Sequence, residues 1–204
     1  MARTRLTPER ESELFAAVLD LLREVGYDAL TMDAVAARTH SSKATLYRQW
    51  RSKPELVVTA LRHNKPVSLA DIDTGSVRGD FHAVVTRTDD CRMEQDTALM
   101  RGLSRAVHDN PDLHQALRDL LVEPELSGLA LLLRRGVERG ELNPDNPALK
   151  YVPHMLMGAL GVRHLVDGRP VDQEFLLEYV DSVVLPALGV AGRTTAGAVS
   201  PVPA

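Results

Sequence analysis

The chain has 204 residues, of which 44% are hydrophobic, 25% are charged and 4% are aromatic, and its formal net charge is −4. This composition is typical of a globular protein with a buried core, and the few aromatic residues argue against a stacking platform for single-stranded nucleic acid. The single cysteine excludes an intrachain disulfide framework, and the apolar stretches are shorter than the ~18 residues of a membrane span, so we expect a cytoplasmic protein.

The charge is unevenly distributed along the chain. Residues 1–65 carry 11 Lys or Arg against 8 Asp or Glu, whereas residues 66–204 carry 13 against 20. A nucleic-acid partner requires a basic surface, so the overall charge argues mildly against one. The division instead indicates a basic first segment for a polyanion and an acidic remainder with another role.

Apolar residues at spacings of three and four predict helices from the N-terminal region onward. The first should span about Pro8–Val25, with Thr7 as its cap and Gly26 closing it in the left-handed conformation. Shorter helices should run over Met32–Arg38, after Ser42 and from Lys53, with Pro66 at the end of the fourth or at a kink in it.

The rest of the chain is also predicted to be helical, after a linker at Val67–Gly79. We expect Pro124 to break or bend the chain between two of these helices. The predicted helices are Asp80–Thr88, Asp96–His108, Asp112–Val122, Glu125–Arg139, Pro147–Val166 and Asp172–Leu188. No strand alternation is found, so the predicted class is all-α with about nine to ten helices, and residues 191–204 should form a disordered tail.

Residues 26–56 have the pattern of a helix-turn-helix. A helix of two turns precedes a tight turn at residues 39–41, and Ser42 then caps a second short helix. Small residues such as Ala36 and Ala44 permit two helices to cross closely. Apolar anchors at Leu46 and Trp50 leave a polar face turned outward, as a DNA recognition helix requires.

This segment closely resembles the DNA-binding domain of the tetracycline-repressor (TetR) family of bacterial transcriptional regulators. The resemblance is carried by Gly26-Tyr27, Leu30-Thr31-Met32, Val35-Ala36, Ser42 to Tyr47, Trp50 and Ser52 to Leu56. It covers about the first 60 residues. It implies a three-helix DNA-binding domain over residues 1–65, followed by an effector-binding and dimerisation domain over residues 66–190.

The resemblance assigns roles to individual side chains. Lys43 and Ala44 match positions that contact base edges in the major groove, and Arg48 and Gln49 are further candidates. Thr31, Thr45, Tyr47 and Lys53 match positions that hold phosphates, while Ser42 caps the recognition helix and is a further candidate DNA contact. The turn departs from the family pattern, with His40 in place of glycine and Ser41 in place of a small apolar residue. Arg3 and Arg5 could enter the minor groove or remain a solvated terminus.

The second domain is expected to form a dimer and to bind an apolar or amphipathic small molecule. The last helix has a doubled apolar stripe, which is either buried within one subunit or contacts a second copy; we favour the dimer, because a two-fold protein matches a two-fold DNA site. The predicted dimer residues are Phe175, Leu176, Tyr179, Val180, Val183, Val184 and Ala187. The predicted effector contacts are Phe81, Met100, Leu103, His108, Leu117, Leu121, Met155, Met157 and His164.

No catalytic motif is found, and neither a metal site nor a cofactor is predicted. The hypothesis is therefore an effector-responsive repressor that binds a palindromic operator in double-stranded DNA as a homodimer. The alternatives are a ligand-binding or interaction module whose helix-turn-helix no longer recognises DNA, and an activator of the same fold.

Overall fold

The computed structural model describes residues 7–64 and 68–191, and within these ranges the chain forms helices and no strand. The predicted all-α class is therefore confirmed. Arg3, Arg5, Pro66 and the predicted tail after Ala191 lie outside the described residues. In the part of the chain that is described, no helix combines the length and the hydrophobicity that crossing a bilayer requires.

The helices follow one another through short connections. Two turns of 3₁₀ helix, Leu69–Asp71 and Leu149–Tyr151, precede α5 and α9. The bounds are α1 Pro8–Ala29, α2 Met32–Arg38, α3 Lys43–Gln49, α4 Lys53–His63, α5 Val77–Thr86, α6 Asp90–Asp109, α7 Pro111–Leu117, α8 Glu123–Glu138, α9 Val152–Asp167, α10 Gln173–Tyr179 and α11 Leu185–Ala187.

Gly26 interrupts α1 in a different way from the prediction. Its φ of 75° is positive, but its ψ of 171° is extended and lies outside the left-handed helical region. Glycine has no Cβ and adopts this backbone without steric cost. The chain continues for three more helical residues after this kink, and Leu30 then donates its N–H to the Gly26 carbonyl at 3.2 Å.

Of the expected break or bend at Pro124, the structure excludes the break, because a wide helical turn accommodates the proline. Residues Arg118–Val122 form one π-type turn between α7 and α8, in which the N–H of Glu123 bonds to the carbonyl of Arg118. The same arrangement occurs at Val180–Val184, immediately before Leu185 and Pro186. Proline cannot donate a backbone hydrogen bond, and a single wider turn lets the helix continue past it.

Two helices of the second predicted domain, α5 and α6, begin nearly a full turn or more before the predicted residues Asp80 and Asp96. The N-cap of α5 is Ser76, whose hydroxyl accepts from the N–H of Gly79 at 3.1 Å. The N-cap of α6 is Asp89, whose carboxylate accepts from the N–H of Arg92 at 2.9 Å. The acidic residues after Asp89 therefore belong to the first turns of α6, where the helix dipole favours negative charge.

The apolar interior is divided into two clusters, and the first crosses the predicted domain boundary. We call this first cluster the junction core: it combines buried residues of α1–α4 with Leu103 of α6, Leu113 and Leu117 of α7, and Leu121. The second cluster, the body core, joins α5 and α8–α11 and also includes Met93 of α6. The helix-turn-helix region thus shares one packed interior with α6 and α7.

A polar network holds the connection before α5 against α8. The Asp80 carboxylate is fully buried and accepts from the N–H of Thr74 at 2.6 Å, from its hydroxyl at 2.7 Å and from Arg139 at 3.1 Å. Arg135 donates to the carbonyl oxygens of Ile72 at 2.6 Å and Ala70 at 3.1 Å. The predicted linker is therefore firmly attached over residues 70–80.

Candidate nucleic-acid interface

The helices α2 and α3 each begin at a hydroxyl cap. The side chain of Thr31 accepts from the N–H of Ala34 at 3.1 Å, and that of Ser42 accepts from the N–H of Thr45 at 3.1 Å. Such caps satisfy backbone donors that the first helical turn leaves free. The Ser42 hydroxyl also lies 2.8 Å from the Thr45 hydroxyl, so both polar side chains support the start of α3.

One side of α3 is fixed by apolar packing. Leu46 is completely buried and Trp50 is 4% exposed. The indole ring of Trp50 meets the ring of Phe15 edge-on, with 5.4 Å between the centroids. Trp50 is therefore a core residue, as predicted, and it orients α3 against α1.

The turn between α2 and α3 has an unusual backbone at His40. Its φ of 50° is the only positive value among the non-glycine residues of the described chain. Histidine adopts this conformation more readily than most residues, although at a steric cost that glycine avoids. The turn is held by Thr39, whose hydroxyl donates to the Val35 carbonyl at 2.8 Å and whose carbonyl accepts from Arg10 at 2.8 Å.

The opposite side of α3 faces solvent and carries most of the predicted DNA contacts. Tyr47 is 45% exposed although its side chain is largely apolar. Thr45 and Gln49 are half-buried at the edges of this face. The exposed members of the predicted set are Thr31, Ser42, Lys43, Ala44, Tyr47 and Arg48.

Lys43 is paired with a carboxylate that the sequence analysis did not single out. Its ammonium lies 2.9 Å from the carboxylate of Asp33 in α2. The hydrogen bond and the negative charge of Asp33 raise the pKa of Lys43 above its ordinary value, so the lysine is charged at neutral pH. The one sequence signal for this ion pair was the presence of an acidic residue ten positions before the predicted base contact.

Lys53 has a different environment from the one predicted for a phosphate contact. Its ammonium donates to the carbonyl oxygens of Tyr27 at 2.9 Å and Leu30 at 3.0 Å, and it lies 4.2 Å from the centre of the Tyr27 ring. Burial lowers the pKa of Lys53, against the opposing charge of Asp28. In this conformation, Lys53 fastens the end of α1 to α4 rather than presenting a free ammonium to DNA.

Two further contacts connect α1 to the helix-turn-helix. Gln49 donates to the carboxylate of Glu11 at 3.1 Å, which ties the end of α3 to the first turns of α1. Arg10 reaches the turn at Thr39, as described above. Neither Arg10 nor Glu11 was predicted as part of this region, because contacts between separate helices leave no local sequence pattern.

The predicted effector residues are divided between the two cores and the surface. Leu103, Leu117 and Leu121 belong to the junction core, whereas Phe81 belongs to the body core, against which Met155 packs. The other four, Met100, His108, Met157 and His164, are exposed. A shared effector site therefore stays a prediction, since helical periodicity identifies apolar faces without identifying the helix that covers each one. His108 instead lines an open cleft of about 430 Å³ with Ser104, Val107, Pro111 and His114.

The predicted dimer residues also divide. Leu176, Val180 and Val184 are buried in the body core of their own chain, so these three assignments are wrong. Phe175 and Tyr179 are half-buried against the same core, while Val183 and Ala187 are exposed. The alternative of burial within one subunit explains the inner half of the doubled stripe.

A larger exposed apolar face lies on α9. Leu165 is 85% exposed and Val162 is 48% exposed. They follow Gly158 and Gly161 at spacings of three and four, so these four positions form one stripe along the helix. The sequence analysis did not predict these exposed side chains.

The chain matches two family models in sequence. Residues 14–60 match the model for bacterial regulatory proteins of the tetR family, and residues 71–183 match the tetracyclin repressor-like C-terminal domain. The first match contains the whole α2–α3 unit. The second covers the helices that form most of the body core.

Relatives and solved structures agree with these matches. An HTH-type transcriptional regulator of Mycobacterium tuberculosis is 36% identical over 88% of both chains. The DNA-binding transcriptional repressor TetR of Mycobacteroides abscessus is 34% identical over 86% of this chain and 92% of its own. The crystal structure of the TetR family transcription regulator SCO0332 superposes with a TM-score of 0.64 at 30% identity, over 90% of this chain and 99% of that one.

Proposed function

The chain belongs to the TetR family of DNA-binding transcriptional regulators, and from this premise we propose that it is a homodimeric, effector-responsive repressor of a palindromic operator. We further propose that it acts in the cytoplasm and has no enzymatic activity. Repression rather than activation is supported by the relative from Mycobacteroides abscessus, which is named as a repressor.

The observation that carries the proposal is the two-sided character of α3. Leu46 and Trp50 hold one side in the junction core, and the exposed side combines hydrogen-bond donors with the positive charges of Lys43 and Arg48. A helix with this arrangement can enter the major groove while its neighbours contact phosphates. We propose Lys43, Ala44 and Arg48 as base contacts, and Thr31, Thr45 and Tyr47 as phosphate contacts; Ser42 caps α3 at the same surface.

Dimerisation is proposed to occur mainly through the exposed stripe of α9. Gly158 and Gly161 permit a second helix to approach closely, and Val162 and Leu165 would be removed from water at such an interface. Val183 and Ala187 are exposed on the last helical segments and are the predicted dimer residues that remain available. A two-fold dimer would place two copies of α3 about one helical turn of DNA apart or a small multiple of it.

Effector response is proposed to act through the junction core. Leu103 of α6 and Leu113 of α7 pack in the same cluster as α1 and α4. A small apolar or amphipathic molecule that displaces α6 or α7 would therefore shift α1 and α4. An effector that binds the shifted dimer more tightly lowers DNA affinity by the same coupling free energy.

The decisive experiment is a gel shift with the DNA upstream of the protein's own gene and of its neighbours. We expect a sequence-specific complex whose affinity falls as salt rises, because phosphate contacts release counterions. Tyr47→Ala should weaken binding to every sequence, whereas Lys43→Ala should reduce the preference for the operator. The absence of any specific complex with the wild-type protein would contradict the proposed function and favour the interaction module.

A further inference from the structure

The strongest feature outside the assigned contacts is the acidic partner of Lys43. We propose that Asp33 is a specificity-determining residue and that the Lys43–Asp33 pair recognises one G·C base pair in each operator half-site. The inference rests on the proposed entry of α3 into the major groove. It adds to that proposal a residue on α2 and the identity of the base pair that is recognised.

The pair occupies the surface that is proposed to face DNA. Lys43 is the first residue of α3 and Asp33 is the second residue of α2, and their charged groups are 2.9 Å apart. The side chains are 51% and 70% exposed, respectively. Tyr47 lies one helical turn after Lys43 and therefore on the same face of α3. A carboxylate thus lies beside the proposed base contact, although the negative phosphates of DNA would repel it.

The donors and acceptors of the pair match a G·C base pair. Guanine offers two neighbouring acceptors, N7 and O6, and the paired cytosine adds its N4 amino donor beside them. The Lys43 ammonium has three N–H donors and lies 2.9 Å from both oxygens of the Asp33 carboxylate, so at least one donor remains for guanine. The Asp33 carboxylate has acceptor positions left for the cytosine amino group.

An A·T base pair does not present the same order of groups. Its adenine amino donor lies between two acceptors, adenine N7 and thymine O4, and the thymine methyl group occupies the outer position. The pair would then place the ammonium of Lys43 near a second donor. The order acceptor, acceptor, donor is therefore the one that Lys43 and Asp33 complement together.

Asp33 should also lower affinity for sequences other than the operator. Nonspecific binding depends on attraction between cations and phosphates, and Asp33 offsets the positive charge of Lys43 in the first turn of α3. On a sequence that lacks the cytosine amino group at this position, the Asp33 carboxylate has no base donor to bind and is repelled by the neighbouring phosphates. Discrimination often depends on such unfavourable contacts with the wrong partner.

The test compares wild type with Asp33→Asn on one set of DNA duplexes. The operator is first selected from random duplexes by the wild-type protein, and each base pair is then exchanged in turn while fluorescence anisotropy measures the dissociation constant. Exchange of one G·C pair in each half-site should weaken wild-type binding about ten- to hundredfold. In Asp33→Asn the same exchange should cost at least about threefold less than in wild type, because Lys43 still contacts guanine while the carboxylate contact to cytosine is lost. Nonspecific binding should become tighter at the same salt.

Glu24→Gln is the matched control variant. Glu24 forms another exposed ion pair of the same region, with Arg38 at 2.7 Å, but neither partner is a proposed DNA contact. This variant should keep the wild-type preference at every base pair. Both variants should melt at nearly the wild-type temperature, because Glu24 and Asp33 are exposed.

A modified base tests the carboxylate contact directly. Replacing the cytosine of that pair by 2-pyrimidinone removes its 4-amino group, and this should weaken binding of the wild type but not of Asp33→Asn. Equal base preferences of the two proteins at every position would overturn the role of Asp33 and leave the proposed function intact. Failure of the wild-type protein to select any sequence would instead overturn the proposed function, and the inference with it.

Discussion

Asp80→Asn should lower the free energy of unfolding by about 3 kcal/mol, within the range measured when one partner of a buried ion pair is removed. The carboxylate has no exposed surface and receives three hydrogen bonds, two from Thr74 and one from Arg139. An asparagine side chain has one acceptor oxygen in place of two. Its amino group must therefore face either the donors of Thr74 or the guanidinium of Arg139.

Asp73→Asn is the matched control, because Asp73 contacts the same guanidinium from the surface. Its carboxylate lies 3.3 Å from Arg139 and its side chain is 53% exposed. Solvent screens such a pair, so the loss should be below about 1 kcal/mol. Because both carboxylates contact Arg139, the difference between the two variants measures the effect of burying the carboxylate.

The measurement is urea unfolding followed by far-ultraviolet circular dichroism, with thermal melting as a second assay. A loss of about 3 kcal/mol corresponds to a fall of roughly 6–12 °C in melting temperature for a chain of this length. Equal losses in the two variants would refute the reasoning, since the buried carboxylate would then contribute no more than the exposed one.

Three further predictions concern the turn, the end of α1 and the dimer. His40→Gly should raise the melting temperature by about 1–4 °C, because the strain relieved at the positive φ of 50° exceeds the entropy cost of glycine by roughly 0.5–1 kcal/mol. His40→Ala should lower the melting temperature. A lower melting temperature for His40→Gly would contradict backbone strain at His40. Burial raises the pKa of Tyr27 to about 12, so its contribution to stability is complete below pH ~10 and is lost toward pH 12 at about 1.4 kcal/mol per pH unit. Tyr27→Phe should remove this part of the pH dependence of urea unfolding, and an unchanged slope would exclude Tyr27 as its source. Leu165→Glu should convert the dimer to a monomer in sedimentation velocity experiments, whereas Glu138→Gln, an exposed change on α8, should not; a dimeric Leu165→Glu protein would place the interface elsewhere.

The helices of residues 7–64 could be predicted closely because their ends are encoded locally. The structure confirms Thr7 and Ser42 as helix caps, and Thr31 and Ser52 cap their helices with a hydroxyl in the same way. The polar face of α3 could be predicted for the same reason, since residues at spacings of three and four must share a side.

The remaining features depend on which elements meet, and no local pattern encodes that. The sequence shows that Leu117 and Phe81 are apolar, but only the packing assigns them to different cores. The pairing of Lys43 with Asp33 and the burial of the Lys53 ammonium also arise between separate helices. The prolines at positions 124 and 186 signal an irregularity in the helix. They do not determine which one, because a helix can accommodate a proline by a kink, a break or a wider turn.

The junction core limits how this regulator can be recombined with others. Leu113 and Leu117 close the interior of α1–α4 from outside the first 64 residues, so a fragment that ends at α4 would expose apolar surface that α6 and α7 normally cover. A chimera that joins residues 1–64 to the body of another regulator would also have to supply matching side chains at these positions. The part of the chain that must be kept together for a stable DNA-binding domain is therefore longer than the segment that contacts DNA. Operator specificity should be exchanged between relatives by substitutions on α2 and α3 rather than by transplanting the whole domain.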